Sequence, residues 1–176
     1  MTIAAVDASV ILLLAVPGKD VDRRKRARSK MQELKSLGVR FAIPAPAIAE
    51  VHRDGDGREI AARVFGDLGG FYTEALDDIA AANVGQSLRM AHQSRPEGLP
   101  RACVKFDAMI AGVAHTMGAR YLLTTDGRDF RVALQALQSK VEVIYVDAPP
   151  PPQQVPLIET ETTSSEASVD DSGMGK

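Results

Sequence analysis

The sequence predicts an α/β fold with a mainly parallel sheet, and two observations support this prediction. Short apolar runs typical of buried strands alternate along the chain with longer segments of helical periodicity, the order expected of a parallel sheet. The chain has 176 residues, of which 45% are hydrophobic, so it can bury a sizeable core in one domain. We expect that domain to cover residues 1–146.

Strands and helices are predicted in turn along this domain. The strands are expected over residues 3–6, 40–43, 71–76, 120–124 and 141–146. The helices are expected over residues 9–14, 20–37, 47–52, 59–67, 77–94, 107–117 and 128–137. Gly38 is placed to end the second helix, Asp77 or Asp78 to cap the fifth, and Asp107 to begin the sixth. The polar residues 53–58 predict a flexible loop, and residues 96–100 predict a turn.

The composition changes after Val146. Four consecutive prolines, Pro149–Pro152, precede a stretch rich in Thr, Ser and Glu that cannot bury enough apolar surface to offset its ordering entropy. Residues 147–176 are therefore predicted to form a disordered tail. This segment has six acids and one lysine, a charge of −5, whereas the whole chain has −2. Residues 1–146 thus carry a net +3, and such a mildly basic body suits an enzyme that acts on a polyanion.

Several classes of protein are disfavoured by the sequence. Cys103 is the single cysteine, so no internal disulfide can form, and no Cys/His cluster has the spacing of zinc ligands. No apolar run reaches the roughly 18 residues of a membrane span, and the first residues lack the basic segment of a signal peptide. A Gly-rich phosphate loop with its lysine is also absent from the sequence. We therefore expect a cytoplasmic protein with no membrane partner.

Four acidic residues, each at the edge of an apolar segment, are the candidate functional residues. Asp7 and Asp126 directly follow predicted strands, Glu50 lies on a helix after the second strand, and Asp107 is expected at a helix start. Ligands of parallel sheets bind beyond the carboxyl ends of the strands, so these acids are expected near one edge. An all-oxygen pocket there would suit Mg²⁺ or Mn²⁺. Taken singly, each acid could instead be a helix cap, a turn residue or a solvated surface residue.

The motifs around these acids resemble those of the PIN-domain nucleases, in particular the small VapC-like bacterial toxins. In chain order they are Asp7-Ala8-Ser9, Ala49-Glu50-Val51, Asp107-Ala108-Met109-Ile110-Ala111 and Leu122-Leu123-Thr124-Thr125-Asp126, the last followed by Asp129-Phe130. The match spans roughly residues 3–146, and the last two motifs are the most specific.

This resemblance implies a three-layer fold with five strands in the order 3-2-1-4-5 and helices flanking the sheet. It also implies that Asp7, Glu50, Asp107 and Asp126 hold one or two Mg²⁺ or Mn²⁺ ions and cleave RNA phosphodiester bonds. Ser9 and Thr124 would orient metal-bound water, and Asp129 would be a secondary acid. A cognate antitoxin and a homodimer are the implied partners. The alternatives are an RNA-processing nuclease without an antitoxin, and a non-catalytic binding or dimerisation module.

The second predicted helix is strongly basic. Its cations include Arg23, Arg24, Lys25 and Arg26, while its inward stripe is formed by apolar residues. These four cations are candidate RNA-binding residues that would contact phosphates. The alternative is an ordinary solvated helix face.

Overall fold

The structure, a computed structural model, describes residues 1–16, 20–93, 101–126 and 128–149. Five strands form its sheet: β1 Ile3–Val6, β2 Arg40–Pro44, β3 Tyr72–Glu74, β4 Tyr121–Thr124 and β5 Glu142–Tyr145. The α-helices in the described residues are α1 Ala8–Ala15, α2 Val21–Ser36, α3 Ala45–Val51, α4 Gly57–Phe65, α5 Asp78–Gln93, α6 Arg101–Thr116 and α7 Arg128–Ala136. Short 3-10 turns follow α3 and α4, at His52–Asp54 and Gly66–Leu68.

All strand pairs of the sheet are parallel, in the order β3-β2-β1-β4-β5. The chain leaves β1 towards β2 and β3, then returns to the other side of β1 through β4 and β5. Because crossover connections between parallel strands are right-handed, this reversal places helices on both faces of the sheet. The expected fold class and strand order are confirmed. The switch point, where ligands of such sheets bind, lies between the carboxyl ends of β1 and β4.

The core surrounds the two central strands. Ala4, Ala5 and Val6 of β1 and Leu122 and Leu123 of β4 are fully buried, as strands covered on both faces must be. The small residues of α6 serve helix packing as well as contact with the sheet. A Cβ on Gly112 would lie 2.7 Å from a methyl carbon of Val84, so glycine is what lets α6 approach α5 so closely.

Two expectations about local structure are wrong. The helix that carries Asp107 begins at Arg101, so Asp107 lies in its second turn and does not begin it. No Gly or Pro interrupts residues 101–106, and nothing in that sequence stops a helix. The segment expected as a flexible loop over residues 53–58 is instead a 3-10 turn that leads directly into α4. The expected turn at residues 96–100 lies outside the described residues.

The turn between α3 and α4 is held by three local features. His52 Nδ1 accepts the backbone N–H of Gly57 at 3.1 Å. The Asp56 carboxylate accepts the backbone N–H groups of Arg58 and Glu59 at 3.0 and 3.1 Å, a helix N-cap that also lowers the pKa of Asp56. Gly57 is packed so tightly that a Cβ would lie 2.6 Å from the Ile48 carbonyl oxygen. The polar, Gly-rich sequence therefore builds a defined connection.

Other helix ends follow the sequence signals. Gly38 has a φ of 76° and its N–H bonds to the Lys35 carbonyl oxygen, so it ends α2 as expected. The Asp77 carboxylate accepts the N–H of Ala80 at 2.7 Å and caps α5. No helix in the described ranges has both the length and the apolar character needed to cross a membrane.

The packed body reaches at least to Asp147, which is 8% exposed. The Arg23 Nε donates to the Asp147 carboxylate at 2.6 Å, and the Arg26 Nε donates to the Asp147 carbonyl oxygen at 2.8 Å. The amino-terminal part of α2 thus clamps the chain where it leaves β5. Residues 150–176 lie outside the described residues, and a disordered tail stays a prediction.

Substitution of Gly57 tests whether this connection is as tightly packed as the structure indicates. We expect Gly57→Ala to destabilise the fold by about 1–3 kcal/mol, because the added methyl group meets backbone atoms that have little room to move. Gly66→Ala is the matched control: nothing lies within 4 Å of its Cβ position, and its φ of −53° suits alanine. Urea unfolding of both variants measures the difference, and equal stabilities would contradict the close approach.

Candidate functional site

The sheet register brings the ends of β1 and β4 side by side. Val6 pairs with Leu123, and the backbone N–H of Asp7 donates to the Leu123 carbonyl oxygen at 2.9 Å. Asp7 therefore lies beside Thr124, the last residue of β4, although the two are 117 positions apart in sequence. This is the switch point of the sheet, the position predicted for the site.

Two hydroxyl groups bind the Asp7 carboxylate. Thr124 Oγ1 donates to Asp7 Oδ2 at 2.9 Å, and Ser9 Oγ donates to the same oxygen. Ser9 Oγ in turn accepts the backbone N–H of Thr125 at 3.1 Å, and Thr124 Oγ1 accepts that of Asp126 at 3.0 Å. The carboxylate is thereby fixed in position. The bond from Thr124 joins Asp7 to β4, a contact that a plain helix cap would not require.

Burial dominates the electrostatics of Asp7. The residue is 5% exposed, and this burial raises the pKa of its carboxyl group, while the hydrogen bonds from Ser9 and Thr124 oppose the rise. A buried carboxylate at a sheet edge is costly unless hydrogen bonds or a cation compensate it. The two hydroxyl groups supply part of that compensation.

Glu50 lies in the last turn of α3, which follows β2 and packs against both α1 and α6. Partial burial raises the pKa of its carboxyl group, the negative charge of Asp7 raises it further, and the positive charge of Arg53 lowers it. Glu50 and Asp7 are therefore close enough to repel one another. The structure brings these two predicted site residues together, even though they come from different elements.

Asp107 lies in the second turn of α6, the helix that leads into β4. Ile110, Ala111 and Ala114, at spacings of three, four and seven, are buried, so half-buried Asp107 extends the inward face of α6. Its helix packs against α3, which carries Glu50.

Asp126 follows β4 by two residues and has an exposed side chain. Its backbone is tied to the site through Thr124, whose Oγ1 lies 3.1 Å from the Asp126 carbonyl oxygen. The side chain of Asp129 lies outside what the structure describes, so its role as a secondary acid stays a prediction.

No ready-made metal centre is present among the side chains that the structure describes. Within them, no group of three or more His, Cys, Asp or Glu side chains is close enough together to hold an ion. The donor chemistry nevertheless fits a hard cation, because Asp7 and Glu50 offer only carboxylate oxygens and repel one another. The convergence of all four acids on one ion stays a prediction.

The four candidate RNA-binding cations on α2 differ in their surroundings. Arg23 and Arg26 bind Asp147, whereas Lys25 is exposed and Arg24 is half-buried. The inward face of the helix is formed by Ala27, Met31 and Leu34, as expected.

Arg53 is the residue of this region that sequence reasoning overlooked. It follows Glu50 by three positions, and its positive charge lowers the pKa of the Glu50 carboxyl group. The signal in the sequence was that spacing, which was hidden by the expectation of a flexible loop over residues 53–58.

The raised pKa values of Asp7 and Glu50 predict how stability depends on pH when divalent metal is removed. The folded protein holds protons that the unfolded chain releases from about pH 4 upward, so this contribution to stability is full below that pH. It is lost as the pH rises through the raised pKa values. We therefore expect the melting temperature of Asp7→Asn, relative to the unmodified protein in chelator, to increase as the pH rises from 4 to 8. Glu142→Gln, which removes an exposed carboxylate, should show no such trend. A constant difference for Asp7→Asn would contradict the raised pKa.

Comparison with solved structures identifies the fold. A chain in the structure of VapBC2 from Rickettsia felis bound to a DNA fragment from their promoter superimposes with a TM-score of 0.57 and 14% identity, over 81% of this chain and 99% of that one. A chain of DNA-bound VapBC from Salmonella typhimurium gives a TM-score of 0.52 and 20% identity, over 81% and 98%. No protein-family model and no curated protein sequence matches the chain. At these identities the likeness concerns the fold, and the chain has the PIN-like α/β fold of VapC.

Proposed function

We propose that the protein is a metal-dependent endoribonuclease of the PIN type and the toxin of a type II toxin–antitoxin pair. The observation that carries the proposal is the placement of Asp7. It is buried at the switch point of a PIN-like sheet, bound by Ser9 and Thr124, and adjacent to the charge of Glu50. Residues that serve only as caps or surface acids have no need of this arrangement.

The chemistry follows from the cost of bringing carboxylates together. Two neighbouring acids, one of them buried, destabilise the fold unless a cation pairs with them. We assign Mg²⁺ or Mn²⁺, as one or two ions, to Asp7, Glu50, Asp107 and Asp126, with Asp129 as a secondary acid. A bound ion of this kind activates water and stabilises the charge that develops on a phosphodiester.

Two other residues of the site orient the Asp7 carboxylate and exclude solvent from it. Ser9 and Thr124 fix the rotation of the Asp7 carboxylate by donating to its Oδ2, so that the other oxygen, Oδ1, keeps one direction. The complete burial of Thr124 keeps solvent away from that hydrogen bond. In the proposed hydrolysis, water attacks phosphorus and the bond to the ribose 3′ oxygen breaks, leaving a 3′-hydroxyl and a 5′-phosphate.

The proposed activity predicts a graded set of losses in RNA cleavage. We expect a mixed RNA pool to be cut with Mg²⁺ or Mn²⁺ and to stay intact with chelator. Asp7→Asn should reduce the rate by more than about 100-fold, whereas Ser9→Ala, which removes an orienting hydroxyl, should cost about 10- to 100-fold. Glu142→Gln, at the exposed first residue of the edge strand β5, is the control and should leave the rate unchanged.

Sequencing the RNA ends separates the outcomes of this experiment. Products with 5′-phosphate ends that depend on metal support the proposal. Undiminished cleavage by folded Asp7→Asn would show that the carboxylate is not part of the machinery. A folded protein that cleaves nothing with either metal would favour a non-catalytic binding or dimerisation module.

The proposed partners are a cognate antitoxin and a second copy of the chain. Structural similarity to chains in VapBC structures supports an antitoxin-binding protein. Multi-angle light scattering across micromolar concentrations tests the homodimer, and only monomer would exclude it. An RNA-processing nuclease without an antitoxin would cleave RNA equally but would be tolerated when expressed alone in a bacterial host, whereas a toxin would arrest growth.

For RNA binding we propose a contribution from α2. Because Arg23 and Arg26 bind Asp147, the exposed Lys25 and its neighbour Arg24 are the better placed of the four to meet a phosphate. Such contacts position a strand without reading its sequence.

The α2 proposal predicts a change in salt dependence. Arg24→Ala/Lys25→Ala should reduce the slope of log affinity against log salt by about 0.7 per lost contact with single-stranded RNA. Arg120→Ala/Lys140→Ala removes the same charge just before β4 and β5, at the opposite edge of the sheet, and should leave the slope nearly unchanged. Equal slopes for both double variants would leave the basic residues of α2 as a solvated surface.

A further inference from the structure

Arg53 lies on a turn that is held by its neighbours His52, Asp56 and Gly57. The 3-10 turn His52–Asp54 continues α3 without a break and is closed by the hydrogen bond from the Gly57 N–H to His52 Nδ1. The tight approach of Gly57 to Ile48 and the cap formed by Asp56 leave this segment little freedom. A side chain placed here has a defined starting point, unlike one on an irregular loop.

This position on the turn is near the Glu50 carboxylate. Arg53 follows Glu50 by three residues, and side chains at this spacing lie on the same face of a helix or 3-10 turn. The electrostatic effect of Arg53 on Glu50 agrees with this placement. The same carboxyl group also interacts with the charge of Asp7, so Arg53 lies on the Glu50 side of the candidate site.

The guanidinium of Arg53 forms no ion pair with the described side chains near it. Its side chain is exposed, and none of the ion pairs between described side chains includes it. Arg23, by contrast, forms an ion pair with Asp147 through its Nε. A guanidinium has five N–H donors in a planar fork that matches two oxygens of a phosphate, so Arg53 can serve a second anion while it stays near Glu50.

An RNA backbone is repelled by an acidic site, and a cation at its rim would offset that repulsion. We propose that Arg53 binds a phosphate of single-stranded RNA next to the bond that is cut and so positions the strand over the carboxylates. This inference rests on the proposed nuclease function. Arg53 is a positioning residue: it contributes to affinity for RNA of any sequence, and it performs no proton transfer or hydrolysis.

The test measures RNA binding and cleavage separately. Binding of fluorescent single-stranded oligoribonucleotides of two unrelated sequences is measured by anisotropy in Mg²⁺, with Asp7→Asn present throughout to prevent cleavage. Arg53→Ala should weaken binding about tenfold for both sequences and reduce the salt slope by about 0.7. Arg53→Lys keeps the charge but loses the planar fork, so its loss should be smaller, with the slope retained.

Arg58→Ala is the matched control. It removes one exposed arginine from the first turn of α4, five residues from Arg53, and should change neither affinity nor slope. In cleavage assays on otherwise unmodified protein, Arg53→Ala should raise KM about tenfold with little change in kcat.

Three results would overturn the Arg53 proposal, and a fourth would refute the nuclease function instead. Equal losses for Arg53→Ala and Arg58→Ala would show a general effect of charge. Unchanged affinity with a displaced pH profile of cleavage would mean that Arg53 acts only on Glu50. Failure of the unmodified protein to cleave RNA with Mg²⁺ or Mn²⁺ would instead refute the nuclease function. Normal cleavage with no effect of Arg53→Ala would refute the Arg53 proposal alone.

Discussion

The buried carboxylate of Asp7 is the constraint on which the carboxyl edge of the sheet depends. Its backbone position is set by the parallel pairing of β1 with β4, and its side chain is held by hydroxyl groups from α1 and β4. Replacing either hydroxyl would leave a buried acceptor less satisfied, at a cost of about 1–3 kcal/mol. The same bonds that make the carboxylate tolerable in the fold also fix its direction. Stability and site geometry are therefore coupled in Ser9 and Thr124.

Charges around this edge are arranged in two zones. Close to Asp7, negative charge accumulates and Arg53 is the cation that the structure shows acting on Glu50. Further out, α2 presents its basic residues, two of which hold the chain end at Asp147. A polyanion approaching the site would be attracted by the outer zone and repelled by the inner carboxylates. Since the net charge of the chain is only −2, such local distribution matters more than the total.

Much of the fold could be predicted because the sequence has clear signals for where its helices and strands begin and end. Gly38, Asp77 and the apolar runs of β1 and β4 each have the local chemistry of the positions that they occupy. The wrong expectations came from composition. Polar residues and glycines suggested a loop at residues 53–58, yet His52, Asp56 and Gly57 make local contacts that define the turn. Local contacts of this kind follow no helix or strand period, so hydrophobic periodicity does not show them.

Some features of the candidate site could likewise be predicted from the sequence, and others could not. Asp7 beside Thr124 could be expected, because both end strands that are neighbours in a parallel sheet of this order. The proximity of Glu50 to Asp7 depends on how α3 packs between α1 and α6, which a linear sequence does not state. The direction of each carboxylate is harder still to predict from the sequence, because acids that repel one another turn apart unless a cation draws them together. A backbone that places Glu50 near Asp7 is therefore compatible both with dispersed side chains and with an assembled metal centre, and the cation itself would decide between the two.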